Sequence, residues 1–173
     1  MKKLVFLFVS LFVVVVATEN VSAQNEATAT AQTSATIITP ISLVKNVDLT
    51  FGNIVRSSTA GKVEITPSGD RSFSGGASAF GTSDGNPAAA QFAVSGEIGA
   101  LYSVQLPNED VTLTLDGGGA TMIIEHGSFK HNAGDSPNIE EGESFNVGAT
   151  LSVKDNQTVG AYSGSFSVTI VYN

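Results

Sequence analysis

The stretch Gly160-Ala-Tyr-Ser-Gly-Ser-Phe-Ser-Val-Thr-Ile-Val-Tyr-Asn173 decides the reading of this chain. A glycine opens it and an aromatic stands next to last. Phe166, Val168, Ile170 and Tyr172 share one parity; Ser165, Ser167, Thr169 and Val171 share the other. Successive side chains of a strand point to opposite faces. The run is therefore predicted to be a β-strand with one face made for burial. Such a strand either closes a β-sandwich or offers its edge to another chain.

Working back from this run, the same two-residue period recurs. Phe145, Val147, Ala149, Leu151 and Val153 alternate strictly, and Lys154-Asp155-Asn156-Gln157 turns the chain. Thr121 to His126 is a return strand after Asp116-Gly117-Gly118-Gly119, a hairpin signal. Val111, Leu113 and Leu115 alternate against threonines, and Leu101 to Leu106 carries Tyr102, Val104 and Leu106 on one face. Gln91 to Gly96 points Phe92 and Val94 inward. Lys62 to Thr66 ends at Pro67-Ser68-Gly69-Asp70, a turn. Val47 to Val55 alternates through Val47, Leu49 and Phe51. Thr36 to Val44 is a strand interrupted by Pro40, which suits an edge or bulge. Residues 74–89 are predicted as a long surface loop with one short strand around Phe73 to Phe80, and residues 130–143 as a second loop. No segment carries a convincing helical period. Eight to ten short strands with turns every eight to twelve residues mean an all-β sandwich or barrel, and the open terminal strand favours an immunoglobulin-like sandwich.

The front of the chain sets the compartment. Lys2 and Lys3 precede an apolar run from Leu4 to Ala17, and Val21-Ser22-Ala23 has the small-x-small form of a signal-peptidase site. Residues 1–23 are predicted to be a signal peptide removed on secretion. The apolar run is too short for a spanning helix, which needs about 20 residues, so no integral membrane anchor is expected after cleavage. Residues 24–36 form an Ala/Thr-rich leader or first strand, and 37–173 the β-sandwich domain. The mature chain holds 6 basic and 15 acidic residues, a net charge of −9. That balance argues against nucleic acid, whose affinity comes from Lys and Arg on phosphates, and against anionic membrane surfaces.

The search for chemistry is nearly empty. The chain has no cysteine and no tryptophan, which removes thiolate metal sites, cysteine nucleophiles and the usual sugar platform. His126 and His131, with Glu125 and Asp135, match no strong ligand spacing. Glu109-Asp110 and Glu140-Glu141-x-Glu143 lack the Asp-x-Asp-x-Asp-Gly order of a calcium loop. Gly-x-Ser-x-Gly is absent. No catalytic, cofactor-binding or metal-binding residue is assigned, and no enzyme is expected.

Gly160, the alternating apolar residues and the penultimate Tyr172 resemble the terminal signature of pilins assembled by the chaperone–usher route. Leu49-Thr-Phe-Gly52, Gln91-Phe-Ala-Val-Ser-Gly96, Tyr102-Ser-Val-Gln-Leu-Pro107, Phe145-Asn-Val-Gly-Ala-Thr-Leu151 and Gly160-Ala-Tyr-Ser-Gly164 resemble an uncharacterised domain family of secreted bacterial proteins related to spore coat protein U. The resemblance runs from about Ala27 to Asn173. It implies a sandwich that lacks one strand, a periplasmic chaperone that covers the exposed edge, and replacement of that chaperone by the next subunit's leader. On that pattern Phe166, Val168, Ile170 and Tyr172 line the groove wall, Gly160 bends the chain into the strand, and Ala27, Ala29, Ala31, Ala35 and Ile37 are the donor leader. One feature departs from the pattern. Alanine where a donor carries Val or Leu forfeits two or three carbons; four such positions give up about 6–10 kcal/mol at ~0.8 kcal/mol per methylene. A self-complete sandwich with residues 25–38 as its own first strand therefore stays open.

The leading expectation is a secreted, non-enzymatic, pilin-like or coat-like subunit on the bacterial surface that self-associates through strand edges into a fibre or coat. The alternative is a self-complete secreted module that binds a glycan or host surface through loops 67–89 and 130–143.

Overall fold

Alternating apolar residues produce alternating burial, most clearly in the longest strand, Ser144–Val153. Phe145, Val147, Ala149, Leu151 and Val153 are all buried. The computed structural model describes residues 26–81 and 84–173; the signal-peptide reading of residues 1–23 lies outside them. The chain divides into a unit up to Thr36 and a unit Ile37–Asn173. In the first, residues 26–36 are exposed and in no helix or strand. The second is an all-β, sandwich-like body of antiparallel strands. Among the described residues no helix is long and apolar enough to cross a membrane.

The strands are β1 (Ser42–Val47), β2 (Gly61–Ile65), β3 (Arg71–Gly75), β4 (Ala90–Ser95), β5 (Tyr102–Gln105), β6 (Val111–Leu115), β7 (Thr121–Ile124), β8 (Lys130–His131), β9 (Ser144–Val153), β10 (Tyr162–Ser163) and β11 (Thr169–Tyr172). A 3-10 turn at His126–Ser128 separates β7 from β8. Among the described residues the count of eleven exceeds the expected eight to ten because β8 and β10 are two-residue strands that no periodicity can register.

β9 is the hub. Its first half pairs with β4 and β8, and its second half with β2 and β7. The change of partners falls near Gly148, where an added Cβ would lie 2.1 Å from the Ile65 carbonyl oxygen. Only glycine allows that approach. From this hub the ladder runs β1-β4-β9-β7-β6-β10, with β3 attached to β2, and β11 pairs with β5 in a separate two-stranded sheet. Phe145, Ile65, Val63, Val147, Tyr102 and Ile139 are the largest fully buried side chains.

Several sequence boundaries move. The first strand begins after Pro40 instead of running through it, since proline offers no N–H to the ladder. Val47 ends β1, and residues 48–55 make only single bridges, Thr50 to Ala88 and Ile54 to Ala79; Gly52 at φ +74° breaks the extended run. The stretch 74–89 is less of a free loop than its composition suggests: β3 enters it, Ala77 is buried, and the two bridges tie it down. Likewise Ile139 anchors 130–143 in the core. The terminal run divides into β10 and β11, and residues 164–168 between them pair with no strand.

Candidate functional site

Two segments of the body face each other without pairing. Residues 39–57 and 156–172 run antiparallel and are joined at both ends. At one end the Tyr172 hydroxyl donates to the Thr39 carbonyl at 2.7 Å. At the other, the Asn156 N–H donates to the Ser57 carbonyl at 2.8 Å. Between these ties β1 comes within 8 Å of β11 yet forms no ladder with it. The interval is a slit of about 980 Å³ with mixed walls and an apolar floor of Phe92, Val111, Leu113, Met122, Ile124, Leu151 and Val153. These are core-facing side chains of β4, β6, β7 and β9, so the slit opens onto the hydrophobic core.

The first tie is a three-residue clasp. Besides donating to Thr39, the Tyr172 hydroxyl accepts the Glu97 N–H at 2.7 Å, and the Glu97 carboxylate accepts the Thr39 N–H at 3.0 Å. Hydrogen bonds from Thr39, its backbone N–H first, hold the Glu97 carboxyl below its ordinary range. Gly96 leaves room for the phenol; a Cβ there would sit 2.4 Å from the Tyr172 oxygen. Tyr172 therefore joins β11 to the segment that precedes β1.

Along the 156–172 wall the terminal parity reaches the structure intact. Phe166, Val168 and Tyr172 are half-buried and Ile170 is buried, while Ser165, Ser167, Thr169 and Val171 are exposed. Phe166 packs edge-on against Phe92 and tilted against Phe129, with centroids 6.5 and 5.1 Å apart. Gly160 sits at a bend with φ +146°, and a Cβ there would strike Leu115 at 2.4 Å. Gln157 is fixed by its amide nitrogen, which donates to the Thr121 carbonyl at 3.2 Å and the Tyr162 hydroxyl at 2.8 Å. Its Oε1 is buried and accepts nothing.

The opposite wall depends on a residue that the sequence did not single out. Arg71 donates from Nη1 to the carbonyls of Phe51 (3.1 Å) and Asp84 (3.0 Å) and lies 4.9 Å over the Phe73 ring. It binds residues 51–53 to the stretch around Asp84. Gly52 is required there, because a Cβ would meet the Asp84 oxygen at 2.1 Å. No local pattern around Arg71 signals this, since its partners are 20 and 13 residues away.

The candidate leader residues Ala27, Ala29, Ala31 and Ala35 lie in the exposed stretch 26–36, and Ile37 is 97% exposed. The histidines stay apart in role. His126 Nδ1 lies 2.8 Å from Asp110 Oδ1, and hydrogen bonds from His126, led by its backbone N–H, lower the Asp110 carboxyl. His131 stands edge-on to Phe145 at 6.2 Å. Among the described residues no group of three or more His, Asp or Glu could hold a metal. Glu143 accepts the Tyr102 hydroxyl at 3.3 Å; burial, then the Glu143 charge, pushes Tyr102 up to about 12.

The family model of a domain of unknown function, DUF4402, matches residues 41–172. The chain belongs to the DUF4402 family. The DUF4402 region contains the slit-lining residues and Tyr172, and leaves Thr39 and residues 26–36 outside. Neither a curated protein nor a solved structure matches the chain.

Proposed function

We propose that this protein is a secreted, non-enzymatic structural subunit, pilin-like or coat-like, that assembles on the bacterial surface by strand addition. The observation that carries this reading is the slit: two facing, unpaired chain segments over an apolar floor. An added strand would find main-chain groups on either side and apolar side chains beneath, which is how β-augmentation obtains affinity and register. The occupant is the leader of a second copy. Residues 26–36 are exposed and in no helix or strand, so no competing element has to be undone before they insert. From Ala27 to Ile37 an extended chain reaches about 33 Å at ~3.3 Å per residue, more than the ~26 Å that Asp48 to Arg56 could span at most. A subunit with such a slit benefits from a cover before assembly, and a periplasmic chaperone is the partner that the pilin and spore coat U resemblance implies.

The test compares the mature chain from Gln24 with a chain lacking residues 24–36. The full chain gives a heat-sensitive ladder of oligomers, or fibres under the electron microscope; the shortened chain stays monomeric. A full chain that remains monomeric at high concentration overturns the reading.

A further inference from the structure

The alternation that buries Val63, Ile65, Ala149 and Leu151 turns Lys62, Glu64, Thr150 and Ser152 outward. The register of β3, β2 and β9 sets them in two cross-strand rows, Ser74-Lys62-Ser152 and Ser72-Glu64-Thr150. Each row places a long charged side chain between two short hydroxyls. Both charges are held by partners beyond β2: Lys62 Nζ lies 3.4 Å from Glu125 Oε1, and Lys130 Nζ lies 3.1 Å from Glu64 Oε1. Glu125 and Lys130 flank the 3-10 turn His126–Ser128. Ser128 pins that turn to β9, donating to the Glu125 carbonyl at 2.7 Å and accepting the Thr150 N–H at 3.1 Å. Short side chains on the sheet and long ones at its border leave a groove of about 360 Å³.

The lining decides what fits. Two ammonium groups face two carboxylates, so the groove is locally neutral on a mature chain of net charge −9. An anion finds each cation already paired. Among the described residues no three His, Asp or Glu gather for a metal, and no apolar residue lines the groove to meet an apolar ligand. A ligand whose groups both donate and accept matches it. A hydroxyl does both, and here Lys62 and Lys130 stand as donors beside Glu64 and Glu125 as acceptors.

We propose that this groove binds a neutral glycan, with Lys62 and Glu64 reading neighbouring sugar hydroxyls and Ser72 and Ser74 supporting the same ring. The stretches 67–89 and 130–143, expected from the sequence to contact a glycan, both contribute, through Ser72, Ser74 and Lys130. No aromatic ring lines the groove among the described residues, so a single site is weak. A fibre or coat repeats it at every subunit and gains by multivalency. The groove shares no lining residue with the slit, so it stands or falls independently of strand addition.

The test is saturation-transfer NMR on the mature chain with four neutral probes: maltotriose, cellotriose, mannotriose and tri-N-acetylchitotriose. Signals are read from the sugar, so assembly of the protein does not obscure them. Transfer to at least one probe is expected, with millimolar affinity. Lys62→Ala/Glu64→Ala and, separately, Ser72→Ala/Ser74→Ala weaken it by about tenfold or more. Both pairs keep the wild-type urea midpoint, since exposed ion pairs and hydroxyls add little stability; the serine pair guards against a loss through unfolding. Val159→Ser on the slit rim leaves binding unchanged. Absence of transfer to all four probes overturns the proposal. So does transfer that survives both groove variants, or tighter binding of glucuronate or glucosamine than of any neutral probe. Failure of the chain to assemble bears on strand addition alone.

Discussion

Enlarging the leader's alanines tests the groove quantitatively. In Ala29→Val/Ala31→Val, each site gains two methyl groups on the parity assigned to the floor. If four methyls leave water, the gain is about 3 kcal/mol at ~0.8 kcal/mol per carbon, or roughly a hundredfold tighter association. The slit holds about 980 Å³ over its apolar floor, and a larger side chain facing that floor would cover more of it. Valine also favours the extended backbone that an inserted leader adopts. The control is Thr28→Val/Thr30→Val, which alters the opposite parity and should change association by less than about threefold. The assay is sedimentation equilibrium of mature chains across a concentration series. Equal tightening by both variants would mean that no parity faces a floor. Unchanged association in the alanine variant would refute the fit between leader and slit.

The remaining outcomes concern the walls. Tyr172→Phe removes the donor to Thr39 and the acceptor for the Glu97 N–H, and should lower stability by about 1–2 kcal/mol in urea unfolding; a change under about 0.3 kcal/mol would deny the clasp. Gly148→Ala forces a methyl onto the Ile65 carbonyl, where both sides are backbone; a loss of about 3 kcal/mol or failure to fold is expected. Glu97 and Asp110 are both depressed below their ordinary values of 4.5 and 3.8. Their contribution is therefore present above those values and lost as the pH falls below them. The urea midpoint should decline below about pH 4.5, and Glu97→Gln/Asp110→Asn should flatten that decline.

Much of the body was legible because burial in a strand follows a period of two. The segments at Gln91, Val111, Thr121 and Phe145 kept their parity, and so did the alternation from Phe166 to Tyr172, although its strand is interrupted. The interruption itself was not legible. Residues 164–168 have a strand's pattern and no partner, and pattern records which face is apolar without recording whether a neighbour is present. The same limit hid Arg71, whose partners are brought to it by the β2–β3 hairpin and the bridges around Gly52.

From the sequence alone came an acidic all-β chain with alternating strands, an Ala/Thr leader ahead of them and a terminal strand with one burial face. These are local properties, set by side-chain parity and backbone preference within a few residues. Tertiary structure alone decided that residues 39–57 and 156–172 meet across a gap and that Tyr172 ties to Thr39 and Glu97. It also decided that the core opens between them. Those outcomes depend on how β9 divides its partners at Gly148, a long-range arrangement that no short stretch of chain encodes.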